Sequence, residues 1–348
     1  MSRVRDIAGR LRRPRRRARL WVSARPYHAA LGTLAVLLAL TIGATLYTAG
    51  VARDEARRQN ERDAATTVQT IERRLFAYSE ALVAVRGLFE IDPQPSRARF
   101  AQFVHSLQLE ERYPGVRVVS FARAIDATDA PRLTREVRGD ASATRAGYPP
   151  FTVRPNGRRT RLVVLSYLEP IAGNEPALGF DLLSDPARAR AVEITQSTGR
   201  PSATAPTRLV QDPSNRPAFV FMLAVRNVGG PLTSARTGRL LGVVTAAFAV
   251  DDLLDVILAD RARGDDVEVY DVGPTSATTP KRPSRATVIY DRDGELQAPR
   301  PDAARAPVAI DVGGRRWLVY AAPRGGTPAA GVPWLVAGGC TLLSLLGS

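Results

Sequence analysis

From Tyr27 to Ala52 the sequence YHAALGTLAVLLALTIGATLYTAGVA contains no Asp, Glu, Lys or Arg. An apolar helix of that length can cross a hydrocarbon core of roughly 30 Å, so it decides on which side of a membrane the rest of the chain lies. Residues 1–26 carry ten Arg and one Asp. The positive charge sits on one side only, and the positive-inside rule puts that Arg-rich tail in the cytoplasm and the chain beyond Arg53 outside it, at the inner (plasma) membrane. A cleavable signal peptide competes with an uncleaved anchor, because Gly50-Val51-Ala52 suits a cleavage site and Arg12-Arg13 admits a twin-arginine signal. The apolar run exceeds the roughly 7–15 residues of a signal core, which favours the anchor. A second apolar run, Val332 to Leu346, begins beside Trp334, an aromatic suited to an interface. It falls short of the roughly 20 residues needed to cross. Residues 331–348 therefore read as a partial second transmembrane helix, or as a buried C-terminal helix.

Between these segments the first pattern is a heptad. Ala64, Val68, Ile71, Leu75, Tyr78, Leu82, Val85 and Phe89 follow 4-3-4-3 spacing, which predicts one long helix over 53–91 with a narrow apolar seam. Two uses of the seam stay open: pairing with its twin in a homodimer, or packing on its own domain. Pro93 and Pro95 end that helix, and Ser96 can cap the next, with Phe100, Phe103, Val104 and Leu107 on one face. His105 lies off that stripe and reads as a solvated or edge histidine.

Strands are predicted at Val116–Ala122, Leu162–Leu168, Ala203–Val210, Ala218–Val225 and Leu240–Val250. A helix is expected to start at Ser184, Asp185 and Pro186, with Ser184 as cap, and to stop at Gly199. Residues 126–160 read as a short helix and loops, and Asn227 to Thr237 as a loop. A helix from Asp251 to Leu258 and strands at Val267–Val272, Thr287–Asp291, Val308–Val312 and Trp317–Ala321 complete a second, smaller sheet. Runs of antiparallel strands interrupted by helices make the fold class α+β. Two acidic pairs occur: Asp251-Asp252 reads as a helix cap and Asp265-Asp266 as a turn, rather than as catalytic carboxylates.

Composition narrows the chemistry. The chain has a net charge of +15, but the Arg-rich tail supplies most of it, so nucleic acid is not an expected partner. One cysteine, Cys340, precludes an intramolecular disulfide, and two histidines leave little for a zinc site or a Cys-His pair. The nucleophile-elbow, P-loop, dinucleotide-binding, metalloprotease and calcium-loop motifs are missing from the sequence. No catalytic residue, metal or cofactor is therefore expected, and an anchored hydrolase is disfavoured.

A series of short pieces in fixed order carries a resemblance: Ala84-Val85-Arg86-Gly87-Leu88-Phe89, Arg112-Tyr113-Pro114-Gly115, Tyr167-Leu168-Glu169-Pro170, Gly173-Asn174, Gly179-Phe180-Asp181, Thr198-Gly199, Thr204-Ala205-Pro206, Arg208-Leu209 and Phe248. The chain resembles the CHASE domain family, extracellular ligand-sensing modules of bacterial and plant membrane receptors. The resemblance implies a stalk helix (53–91), an outer PAS-like ligand-binding subdomain (92–250) and a membrane-proximal PAS-like subdomain (251–325). It also implies a cytoplasmic output domain such as a histidine kinase or nucleotide cyclase, which this sequence does not contain. In plant cytokinin receptors, members of this family, a pocket aspartate accepts hydrogen bonds from the adenine ring, and Asp181 aligns with it. Asp181 has a second open role, as a structural acceptor for backbone N–H groups or an arginine. Ala203 falls where those receptors carry leucine and Met222 where they carry threonine, so a cytokinin ligand does not carry over. Thr204, Phe219, Phe221 and Thr245 are further lining candidates, with core packing as the alternative for the Phe residues. The functional expectation is a membrane-anchored sensor of an unknown small molecule. The alternative is an anchored interaction or scaffold protein without one.

Overall fold

The computed structural model describes residues 18–155, 157–227, 238–259, 265–292, 294 and 307–323. Residues 1–17 of the Arg-rich tail, the 228–237 loop, and the 331–348 run with Trp334 and Cys340 lie outside the described residues. Helix α1, Ala18–Ile91, runs without interruption through both the apolar segment and the heptad. Within it, Ala30–Glu55 has a mean hydropathy of 1.9 and none of it is buried. Leu31, Leu34, Leu37, Leu40 and Leu46 are all more than half exposed. A contiguous apolar surface of this kind is unfavourable in water and marks a surface that something apolar covers.

Residues 59–325 form one compact body. The heptad seam belongs to it. Val68, Ile71, Leu75, Tyr78, Leu82, Val85 and Phe89 are all buried in a common core with both sheets. Of the two uses open to the seam, packing on its own domain is therefore the one observed from Val68 onward; the side chain of Ala64 lies outside the described residues. Each fully buried apolar side chain of this kind is worth about 1.5–3 kcal/mol, so the seam fastens the stalk to the body. Tyr78 adds a polar tie by donating its hydroxyl to the carbonyl of Pro114 at 2.5 Å, and burial pushes that hydroxyl up to about 12. The turn it holds requires Gly115, whose φ is +91° and whose missing Cβ would sit 2.8 Å from the Leu253 Cα.

After Pro93 and Pro95 come α2 (Arg97–Ser106), α3 (Leu109–Arg112) and strand β1 (Val116–Asp126). Ser96 caps α2 as expected, accepting from the Arg99 N–H at 3.2 Å. Strand β1 runs four residues past the predicted end. Helices α4 (Ala130–Gly139) and α5 (Ala141–Arg145) precede β2 (Arg161–Glu169). Helix α6 (Pro186–Thr198) leads to β3 (Ser202–Ala203), β4 (Ala218–Arg226), β5 (Leu240–Ala249) and α7 (Val250–Leu258). The outer sheet has the order β2-β1-β5-β4-β3, all antiparallel. The second sheet, β7-β6-β9-β8, is built from β6 (Asp265–Pro274), β7 (Val288–Asp291), β8 (Val308–Val312) and β9 (Arg315–Pro323).

Four expectations need correction. The cap of α6 is Asp185, which accepts from the Arg188 N–H at 2.9 Å, and Ser184 precedes it. The strand expected over Ala203–Val210 shrinks to Ser202–Ala203 plus a bridge from Thr207 to Ala218, because Pro206 lacks a donor for a ladder. Asp265 and Asp266 open β6 opposite Pro323 and Ala322 rather than forming a turn. Asp251 and Asp252 lie inside the first turn of α7 and do not cap it; Asp252 pairs with Arg216 at 2.7 Å and with Arg117.

Candidate functional site

The two faces of the outer sheet do different things, because side chains alternate along a strand. One face carries Val119, Phe121, Phe219, Phe221, Leu223, Val244, Ala246 and Phe248 onto the stalk and the second sheet. The other carries Val118, Ala122, Val220, Met222, Val243 and Ala247 under α6, together with Val163, Leu182, Ala191 and Val192. Helix α6 is fixed over that second face by polar ties. Thr195 Oγ1 accepts from the Ala224 N–H at 2.9 Å, Ser202 Oγ donates to the Ala191 carbonyl at 2.7 Å, and Arg226 donates to the Gln196 carbonyl at 2.5 Å.

Asp181 stands where β2 meets the start of this layer. It is fully buried and forms an antiparallel bridge with Val164. Gly179 delivers it there, with φ +79° and its N–H donating to the Leu165 carbonyl. The Oδ1 atom accepts from two backbone N–H groups, Val163 at 2.9 Å and Leu183 at 3.1 Å. The Oδ2 atom is buried and has no donor among the described residues. One oxygen therefore does the structural work, and the other is an open acceptor. An unsatisfied buried acceptor costs about 1–3 kcal/mol, which makes this position a place to look for function.

The seven sequence-predicted residues divide between the two faces. Met222 sits directly opposite Thr245, and Thr245 opposite Ser120. Thr245 and Ser120 join their hydroxyls at 2.6 Å. This row shares the α6 face with Asp181. Thr204 ties the sheet edge, its Oγ1 accepting from the Val220 N–H at 3.0 Å. Phe219 and Phe221 point the other way: Phe219 stacks on Phe248 at 4.9 Å and meets the edge of Trp317 at 5.2 Å. Ala203 also faces the stalk-side core and donates its N–H to the Gly313 carbonyl at 2.9 Å. Grouping Phe219 and Phe221 with Met222 overlooked that odd and even positions of one strand cannot share a face.

A cleft of about 240 Å³ opens beside Asp181. It is lined by Ala124, Ile125 and Asp126 of β1, Arg161, Leu162 and Val163 of β2, Leu183, Val192 and Gln196 around α6, and Leu240 of β5 with the preceding Arg239. Val163 and Leu183, whose N–H groups hold Asp181, form part of its wall. None of the seven predicted residues does. Register alone brings these strand ends together, so no local motif marked Asp126, Arg161 or Arg239. A second cleft, of about 230 Å³, holds His105 and Glu169. His105 is exposed as expected, and its Nε2 lies 3.1 Å from Glu169 Oε1. Burial pushes the Glu169 carboxyl up, and the imidazole opposes the shift. A third, open groove of about 580 Å³ runs between Leu75, Phe76 and Ser79 of the stalk, Ile194 and Thr198 of α6, and Asp311 to Gly314. Among the described residues no group of three His, Cys, Asp or Glu could hold a metal ion.

The family model of the CHASE domain matches residues 93–282, more than half of the chain. The chain belongs to the CHASE domain family. The CHASE match takes in the whole outer sheet, α6 with Asp181, and β6 of the second sheet. No curated protein matches the chain. Among solved structures, the chain is similar to an extracellular ligand binding receptor from Desulfohalobium retbaense DSM5692, with 12% identity and a TM-score of 0.46. That likeness covers 76% of this chain and spans 40% of the receptor's length. It is also similar to a methyl-accepting chemotaxis protein X, with 15% identity and a TM-score of 0.37, covering 80% of this chain and 98% of that one. CHASE is a sensory domain of membrane receptors, not a catalytic one.

Proposed function

We propose that this CHASE domain senses a small molecule bound between the outer sheet and α6, with a ligand N–H or O–H donor completing Asp181. The observation that carries the reading is the asymmetric carboxyl: Oδ1 is held by Val163 and Leu183, while the buried Oδ2 has no donor among the described residues. Met222 and Thr245 lie on the same face and would shape the binding space. Both layers are antiparallel sheets, in keeping with a pair of PAS-like subdomains on a stalk. Ala30–Glu55 would anchor the chain in the inner membrane, with residues 59–325 outside. Ligand binding would bias the position of α6 and the stalk between two states, which a cytoplasmic output domain outside this sequence would read. Pairing of two copies along α1 belongs to this reading. With the seam buried from Val68 to Phe89, pairing would use stalk side chains off the seam, such as Phe76, which is 67% exposed.

The test is a thermal-shift screen of small molecules on the full chain in detergent, with hits titrated against wild type and Asp181→Asn. Asparagine keeps an oxygen for both backbone donors but replaces the open acceptor with a donor. Compounds that raise the melting temperature of wild type are expected to lose at least tenfold in affinity for the variant. Unchanged affinity would return Asp181 to a purely structural role. Asp181→Ala is the poorer variant. It strands the buried Val163 and Leu183 N–H groups, at about 1–3 kcal/mol each.

A further inference from the structure

The cleft beside Asp181 is charged at its open end. Asp126 and Arg161 are direct cross-strand partners on β1 and β2. Arg161 thus lies one strand spacing, about 4.8 Å, from Asp126. On the other side of β1 the pairing with β5 ends at Arg123 and Gly242, and Arg239 immediately precedes β5. All three residues line the cleft. Some arginines of this body meet carboxylates, as Arg123 does with Glu136, Arg188 with Asp185 and Arg315 with Asp271, and others donate to carbonyls, as Arg138 does to Phe151 and Arg226 to Gln196. Arg161 and Arg239 have no ion pair among the described residues, and the Asp126 side chain does not cap the turn that follows it. Two guanidinium groups against one carboxylate leave a cation unbalanced at the mouth of a concave site, and guanidinium is the side chain best matched to a carboxylate or phosphate.

Resting on the proposed ligand site, we infer that the cleft takes a small amphoteric molecule, with an oxyanion held by Arg161 and Arg239 and an N–H donor turned toward the Val163–Leu183 wall, behind which Asp181 lies buried. The apolar wall between the two ends, Leu162, Val163, Leu183 and Val192, suits a short hydrocarbon or ring spacer. Small size follows from a volume of about 240 Å³, below the range of roughly 300–1,000 Å³ that holds drug-sized ligands.

Calorimetry on the full chain in detergent tests this with four probe series of matched length, three to eight carbons each: ω-aminocarboxylates, ω-aminoalkyl phosphates, alkylamines and alkylcarboxylates. At one length an amino-oxyanion is expected to bind at least tenfold more tightly than the matching amine or carboxylate. The carboxylate and phosphate series show which oxyanion the arginines prefer. Arg161→Gln/Arg239→Gln is expected to reduce that probe to the affinity of the amine, and Asp181→Asn to that of the carboxylate. Amines binding as well as amino-oxyanions, or a preference that survives the double arginine variant, would overturn the inference while leaving the Asp181 site standing. A probe whose binding needs the arginines but ignores Asp181→Asn would overturn the ligand site instead. No binding by any probe to a chain that melts cooperatively would overturn the amphoteric class.

Discussion

Phe89→Ala is expected to lower the unfolding free energy by about 3–5 kcal/mol, the range for deleting a fully buried aromatic side chain. Phe89 is the last residue of the heptad seam and is completely buried. Its ring stacks on Phe121 of β1 at 3.8 Å, and it meets Phe100 of α2 at 5.7 Å and Tyr167 of β2 at 5.2 Å. The stalk, the helix after the proline break and two strands of the outer sheet thus converge on one side chain. Tyr167 is held there by its hydroxyl, which donates to the Pro95 carbonyl at 2.9 Å, and by the Arg97 guanidinium 4.0 Å above its ring. Little can move to fill the space a methyl group would leave. Urea unfolding of the full chain in detergent checks the value; a loss below about 1 kcal/mol, the size of a minor surface change, would mean the stalk does not pack as described.

The second large effect contrasts two glycines with the same backbone angle. Gly173 and Gly179 both have φ +79°. A Cβ at Gly173 would meet nothing within 4 Å, whereas one at Gly179 would lie 2.0 Å from the Thr152 carbonyl oxygen. Gly173→Ala should therefore cost only the conformational term, about 1–2 kcal/mol. Gly179→Ala adds a backbone collision to the same term, and overpacking of this kind costs about 1–3 kcal/mol more. Because Gly179 sets the path into Asp181, the Gly179 variant should also lose ligand binding while the Gly173 variant keeps it. Equal losses in the two melting curves would show that the turn before Asp181 has room to shift.

These residues show what could be read in the sequence and what could not. The seam from Val68 to Phe89 was legible because a helical period survives any tertiary context, and the Ser96 cap and the Gly199 stop because both are local chemistry. Its partner was not legible: a 4-3-4-3 stripe looks alike whether a twin helix or a sheet lies against it. Asp181 was found by resemblance; of its two open roles the structural one is seen at Oδ1, and the ligand role is proposed for Oδ2. The faces of β4 were recoverable from period two alone, which separates Phe219 and Phe221 from Met222. The charged mouth was hidden, because Arg161, Asp126 and Arg239 come to one cleft only once β1, β2 and β5 are assembled. Strand β1 runs on past Ala122 because pairing with β2 continues as far as Asp126 and Arg161.

Hydrogen exchange by mass spectrometry on the full chain, with and without a compound that raises its melting temperature, tests most directly where the ligand sits. Binding between the outer sheet and α6 predicts slowed exchange in residues 161–169 and 181–198, with residues 308–323 unchanged. Protection confined to the stalk at 72–79 and to 308–323, along the larger groove beside Phe76, would contradict the account.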